Sequence, residues 1–432
     1  MPVLAGLLAY AAFAHGGFFW AEEAVLGAGL LALALLTMTF PVRDLRWPSV
    51  GFALLAAGLL LPAGFAGWPL GTRQGAVTIA IALCSVLVTR MLILQGQRSQ
   101  MLSVLSLIGA SVAGLGLIGL AFHTFPLALN ASGLWRASST LTYANAFGAA
   151  MVVTLPAALV LMAARPHPGH RLAAFLMLAG LGASLSRGGV LALILLFGVI
   201  AGLGGRELLK GLSGLLIAVV VAVAGLIPSI AGGPSPLPGI AGLVLGSVIA
   251  MGWWRRSPRG ALRRWWLLVV VAALLGAGLL VGAGHASLLA SRVDLGSEAR
   301  FGTWRDAVDA GMSEPAFGVG PGEFRSVYVA EGLPAATAFA HNEFLQTFAE
   351  TGLVGMVAVL VSLACFAAWA FRRRTASSDR LVWAASVGCC AAFLGQSTLD
   401  LLWRFPVLVV TVFVWLTVAA IHPQEGREGS GT

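Results

Sequence analysis

Three side chains in this sequence have the chemistry to handle a phosphorylated substrate, and each stands beside an apolar run. Arg187 interrupts SLSRGGVLAL, Arg300 opens the stretch RFGTWRDAVDAG, and His341 stands in AFAHNEFLQTFAETGLVG. A guanidinium matches phosphate oxygens in bidentate fashion. An imidazole at a helix amino terminus meets the positive end of the dipole, which disfavours its charged form and leaves it able to accept a proton near neutral pH. Two arginines and such a histidine facing one cavity suit a diphosphate substrate and the activation of a hydroxyl, the chemistry of glycosyl transfer from a lipid diphosphate.

Each of these residues also has a plainer reading. Arg187 could be an end-of-helix arginine that snorkels to the interface, although an arginine at membrane depth is costly unless it faces a cavity or a partner. His341 could cap a helix. Gly318, Gly320 and Gly322, around Pro321 in EPAFGVGPGEF, suit a tight turn better than a phosphate cradle. The three residues together favour the chemical reading over the separate structural ones.

The elements that position them are set by composition. Of 432 residues, 59% are hydrophobic and 10% charged, and the mean hydropathy is +0.92, which excludes a soluble globular protein. Apolar runs near bilayer length recur along the chain, giving an all-α polytopic membrane protein of about fourteen spans. The expected organisation is a bundle over 1–284 (spans one to eleven), an outer-face loop over 285–351, a second bundle over 352–421, and a disordered tail over 422–432. The first run carries no Lys or Arg ahead of it and no small-residue cleavage site, so it is expected to be a retained helix.

With a cytoplasmic amino terminus, the strongly basic loops all fall inside: Arg43 and Arg46; Arg98; Arg165 and Arg171; Arg206 and Lys210; the cluster Arg255 to Arg264; and Arg372 to Arg374 with Arg380. The basic excess, 26 Lys+Arg over 17 Asp+Glu, therefore reports topology and not a nucleic-acid partner. The same assignment puts the 123–142 loop, the Ser186-Arg187-Gly188-Gly189 turn and the 285–351 segment on the outer face. Short spans, near 171–185 and 189–204, flank Arg187.

Within the outer loop, Phe301, Trp304 and Val308 recur at helical spacing, as in an amphipathic helix lying on the membrane or roofing a cavity, with Glu314-Pro315 ending it. A second helix is expected to begin near His341 or Asn342, with Gly352 as a stop or kink. Cys84, Cys365, Cys389 and Cys390 lie in apolar runs with no metal-binding spacing, so no metal site is expected.

His341-Asn342 followed by nine residues, Gly352, two residues and Gly355 resembles the pattern of the O-antigen ligase and polymerase superfamily. Arg187 with Leu191, Arg300 with Trp304, and PAFGVGPGEF resemble further family signatures. Arg136, the Tyr143-Ala144-Asn145 step and Asp400 in TLDLLWRFP resemble weaker ones. The resemblance implies a membrane-embedded glycosyltransferase of the GT-C type in a bacterial cytoplasmic (inner) membrane, with both termini cytoplasmic and the active site facing the periplasm or outside.

It further implies that Arg187 and Arg300 hold the diphosphate of an undecaprenyl-linked glycan and that His341 orients or deprotonates the acceptor hydroxyl. Inversion would follow, with no cofactor, metal or nucleotide. Asn342, Arg136, Asn145 and Asp400 become candidate substrate-binding residues. The acceptor is lipid A core in a ligase, a growing glycan in a polymerase, or a protein hydroxyl in an oligosaccharyltransferase, and the ligase-type histidine motif tilts towards the first. A lipid-linked glycan flippase is the alternative from another class. It would need sites reachable from both sides and an inverted repeat of broken helices, and the sequence has no such repeat.

Overall fold

The computed structural model describes residues 1–36, 45–131, 133–210, 212–252, 298–330, 333–372 and 380–421. Arg43, the Arg255 to Arg264 cluster, the span expected over 265–284, the first part of the outer loop to residue 297, Arg373, Arg374 and the tail lie outside the described residues.

The described residues form an all-α protein. Its helices are α1 (Pro2–Phe13), α2 (Trp20–Leu35), α3 (Arg46–Phe65), α4 (Leu70–Leu94), α5 (Arg98–Phe122), α6 (Ala144–Ala164), α7 (Pro168–Ser184), α8 (Arg187–Gly202), α9 (Leu212–Ala231), α10 (Pro236–Met251), α11 (Glu298–Ser313), α12 (Glu343–Phe371), α13 (Arg380–Ser397) and α14 (Pro406–Ala420). Two short antiparallel hairpins, which the apolar pattern did not announce, join them: β1 (Ala128–Ala131) with β2 (Leu134–Ala137), and β3 (Ser326–Ala330) with β4 (Leu333–Thr337).

Six of the described helices are long and apolar enough to cross a membrane: α3, α4, α5, α6, α12, and α9 together with the turn before it. Helices α1, α8, α10 and α14 are apolar but shorter. At 16 residues, α8 rises only about 24 Å, short of the roughly 30 Å hydrocarbon core, in keeping with the short spans expected beside Arg187.

One expectation there changes. The Ser186 to Gly189 step is not a turn but the first turn of α8. Ser186 is its N-cap, with Oγ accepting from Gly189 N at 3.1 Å, because a serine side chain satisfies an amide that the helix start leaves without a partner. The chain reverses one residue earlier, at Leu185, whose φ is 50°.

The chain divides into two compact units. The first comprises Met1–Ala11, Gly17–Arg98 and Gly296–Thr432, and the second Ala12–Gly16 and Ser99–Leu295.

In the first unit α3 lies on α12, α2 and α14 lie on α4, α13 lies on α14, and α11 lies on α12. Small residues set these approaches. Gly58 of α3 faces Gly355 and Ala358 of α12 so closely that a Cβ on Gly58 would meet Ala358. Gly311 of α11 leaves room for the Phe348 ring of α12. Helix α11 therefore buries Thr303, Ala307 and Gly311, while of the expected apolar side Phe301 and Val308 stay exposed and Trp304 is half-buried. The small side is the one that can come near α12.

Helix α12 is broken at Gly352, whose φ of 61° and ψ of −158° only glycine adopts freely. The Pro315–Gly320 stretch repairs the break. Leu353 N donates to Pro315 O (2.8 Å) and Val354 N to Ala316 O (3.1 Å), while Val319 N donates to Ala349 O (2.9 Å) and Gly320 N to Glu350 O (3.0 Å). The four helix groups that lose their partners at the kink thus regain them from the loop. The ends Glu314-Pro315 and Gly352 fall where the sequence puts them.

In the second unit α6 lies on α7, and α9 on α7 and α10. Gly225 and Gly242 bring α9 and α10 into backbone contact, where a Cβ on Gly242 would stand 3.0 Å from the Gly225 Cα.

Candidate active site

His341 sits between β4 and α12 with a left-handed backbone, φ 52°, a conformation in which histidine is over-represented among non-glycine residues. That reversal brings the chain into α12, whose N-cap is Asn342. Its Oδ1 accepts from Phe344 N at 3.0 Å and from Leu345 N at 3.1 Å, so the Asn342 oxygen is occupied in building the helix start.

The His341 ring faces Asp400, with Nδ1 3.3 Å from Oδ1. The His341 side chain is 29% exposed and that of Asp400 5%, so the ring is reachable and the carboxylate is behind it. A carboxylate at Nδ1 favours the tautomer that carries its proton there, which leaves Nε2 as the acceptor. The sequence reading took the helix dipole alone as the control on His341, and Asp400 supplies the partner that it lacked.

Asp400 lies in the loop between α13 and α14, and its Oδ1 also accepts from Leu401 N at 2.9 Å. Three residues on, Trp403 N donates to Glu343 Oε1 at 2.6 Å, and the Trp403 indole donates to Ser397 Oγ at 3.0 Å. Arg404 donates to Gln74 Oε1 at 2.8 Å and stands 3.6 Å from Glu350 Oε1. Gln346 spans the group, donating to Glu350 Oε1 at 2.5 Å and to Ala338 O at 3.0 Å, and accepting from Ala340 N at 2.7 Å. Glu343, Gln346 and Glu350 are all buried.

Sequence reasoning missed these residues. Their signal was legible: Glu343, Gln346 and Glu350 at i, i+3 and i+7 form one polar face on an otherwise apolar helix.

Arg300 lies in the first turn of α11, in the same unit. Thr303 Oγ1 donates to Arg300 O at 3.0 Å and lies 3.5 Å from Ala340 O, which brings the first turn of α11 against the residue before His341. Arg300, His341, Asn342 and Asp400 thus belong to one neighbourhood.

Arg136, Asn145 and Arg187 form another, in the second unit. Arg136, on β2, donates from Nε to Ser184 O at 2.8 Å and from Nη2 to Asn145 Oδ1 at 2.6 Å, and Asn145 Nδ2 donates to the Tyr143 hydroxyl at 3.1 Å. These bonds tie the hairpin and the start of α6 to the α7–α8 corner, two residues from the Ser186 cap that starts Arg187 into α8. Among the described residues, no group of three or more His, Cys, Asp or Glu could hold a metal ion.

Residues 237–360 match the family model described as O-antigen ligase. That match covers less than a third of the chain and supports a relation to the O-antigen ligase superfamily, whose members act as ligases or polymerases; the long apolar helices fit an integral membrane protein. The matched segment contains Arg300, His341, Asn342, Gly352 and Gly355, and ends before Asp400; Arg136, Asn145 and Arg187 precede it. No curated protein matches the chain.

Proposed function

We propose that the protein is a glycosyltransferase that moves a glycan from an undecaprenyl-diphosphate donor to an acceptor hydroxyl at the outer face of the bacterial cytoplasmic membrane, with lipid A core as the favoured acceptor. The observation that carries this reading is the His341–Asp400 pair at the start of the broken helix; its histidine lies, with Gly352 and Gly355, in the segment 237–360 that matches the ligase family model, and Asp400 lies beyond that segment.

Asp400 holds the Nδ1 proton, and Nε2 takes the proton of the acceptor hydroxyl. The freed oxygen attacks the anomeric carbon as the bond from that carbon to the diphosphate oxygen breaks, inverting the centre and releasing undecaprenyl diphosphate. Arg300, beside His341 through Thr303, stabilises the charge that grows on the leaving group. The family resemblance assigns Arg187 to the same charge. About fourteen spans, a GT-C arrangement and cytoplasmic termini complete the proposal.

The test is transfer by purified protein in nanodiscs given undecaprenyl-diphosphate glycan and lipid A core, with and without EDTA, for wild type, His341→Ala, Arg187→Ala and Arg300→Ala. Glycosylated lipid A core that forms in EDTA and disappears in the variants supports the ligase. Elongation of the donor without lipid A core would make the protein a polymerase. A donor that binds without either product would overturn both readings and direct attention to protein acceptors and then to transport.

A further inference from the structure

The His341–Asp400 contact is long for a hydrogen bond at 3.3 Å, and the Asp400 carboxylate is otherwise bonded to the amide of its own loop, Leu401 N, so the placing of that loop bears on where the carboxylate stands. Two cross-links join the loop to the start of α12. His341 meets Asp400, and Glu343, two residues after His341, accepts from the Trp403 amide, three residues after Asp400, at 2.6 Å. The second link is the shorter one and lies on a side chain only 6% exposed, with the Phe344 and Trp403 rings packed edge to face beside it at 5.6 Å. Glu343 is too deeply placed to be a reacting group, yet it grips the same loop as Asp400 from the same helix start as His341.

We propose that Glu343 is a positioning residue: by holding the Trp403 amide, it fixes Asp400 against His341 and so holds the ring with Nε2 free. This inference rests on the proposed proton-accepting role of His341.

What Glu343 must supply is an oxygen at the right reach, not a charge. Two conservative variants separate these properties. Glu343→Gln keeps the reach and an acceptor oxygen and loses the carboxyl group; Glu343→Asp keeps the carboxyl group and loses one methylene of reach. For glycan transfer we expect Glu343→Gln to stay within about threefold of wild type and Glu343→Asp to lose about tenfold in kcat with the donor KM unchanged, since misplaced geometry costs on that scale or more. In an Asp400→Asn background the Glu343→Asp loss should vanish, because groups acting through one another are not additive. Equal or better activity of Glu343→Asp than of Glu343→Gln, or an undiminished loss in the Asp400→Asn background, overturns the proposal.

A second readout needs no substrate: the rate at which diethyl pyrocarbonate modifies His341, followed by peptide mass spectrometry. Glu343→Asp should change that rate in the same direction as Asp400→Asn, and Glu343→Gln should leave it near wild type. If Asp400→Asn alone changes the rate, Glu343 does not position the pair. This holds even if wild type transfers no glycan, an outcome that would sink the proposed activity and leave the positioning role to be decided by the modification rates.

Discussion

Replacing Gly352 by alanine should damage the protein far more than a glycine-to-alanine change ordinarily does. A side chain in the Gly352 conformation, φ 61° and ψ −158°, costs about 1–3 kcal/mol in backbone strain. The added Cβ would lie 2.5 Å from the Ala316 carbonyl carbon and 2.6 Å from Phe317 N. Both are backbone atoms, which cannot rotate away, so the loop must retreat. Retreat opens the hydrogen bonds at Leu353 and Val354 first, at roughly 0.5–1.5 kcal/mol each. The sum is roughly 2–6 kcal/mol. Gly302 provides the control, since it is exposed in α11 with nothing within 4 Å of a built Cβ, and alanine there should stabilise by about 0.5–1 kcal/mol. Unfolding titrations with SDS in mixed micelles, followed by tryptophan fluorescence, compare the two variants with wild type. A Gly352→Ala protein within about 1 kcal/mol of Gly302→Ala would refute the interlock between loop and broken helix.

Three further outcomes are expected. Asn342→Ala should lower stability by about 1 kcal/mol through loss of the cap on Phe344 and Leu345, measured in the same titration. Asp400→Asn should reduce kcat for transfer by roughly 10²-fold or more by releasing the His341 tautomer, with donor binding intact in an equilibrium binding assay. Arg300→Lys and Arg187→Lys keep the charge and lose the fork; each should lower kcat by roughly 10²-fold, and activity near wild type in either would remove that arginine from the leaving-group role.

Much of the first unit was legible because it is local. The His341-Asn342 step, the Gly352 kink and the Pro315 stop are each written in a few adjacent residues, as caps and breakers are. The amphipathic reading of α11 found the helix but not its buried side, because what decides the contact is the smallness of Gly311 opposite Phe348, which no hydrophobic count rewards. The hairpin strands are four or five residues long, too short for a period to register. The polar face of α12 was visible, yet its partners were not. The Trp403 amide lies 60 residues from Glu343, which it meets, and Arg404, which faces Glu350, is held by Gln74 from 330 residues away; a backbone amide carries no sequence signal of what it will bond. Arg136 was singled out, and the structure adds what a sequence cannot carry, that two of its guanidinium donors go to Ser184 and Asn145.

The four hydrogen bonds that close the Gly352 break run between main-chain groups on both sides, so they read count and not identity. Ala316 or Val319 could exchange side chains with little effect on them, whereas one residue added or removed between Pro315 and Gly320, or between Ala349 and Val354, would shift the register and forfeit them together. The fixed intervals from His341 to Gly352 and Gly355 are therefore a ruler. They measure how far the start of the helix at His341 must stand from the point where the loop is allowed to enter it, and a graft of this segment into another membrane protein would have to carry the loop and the helix as one piece.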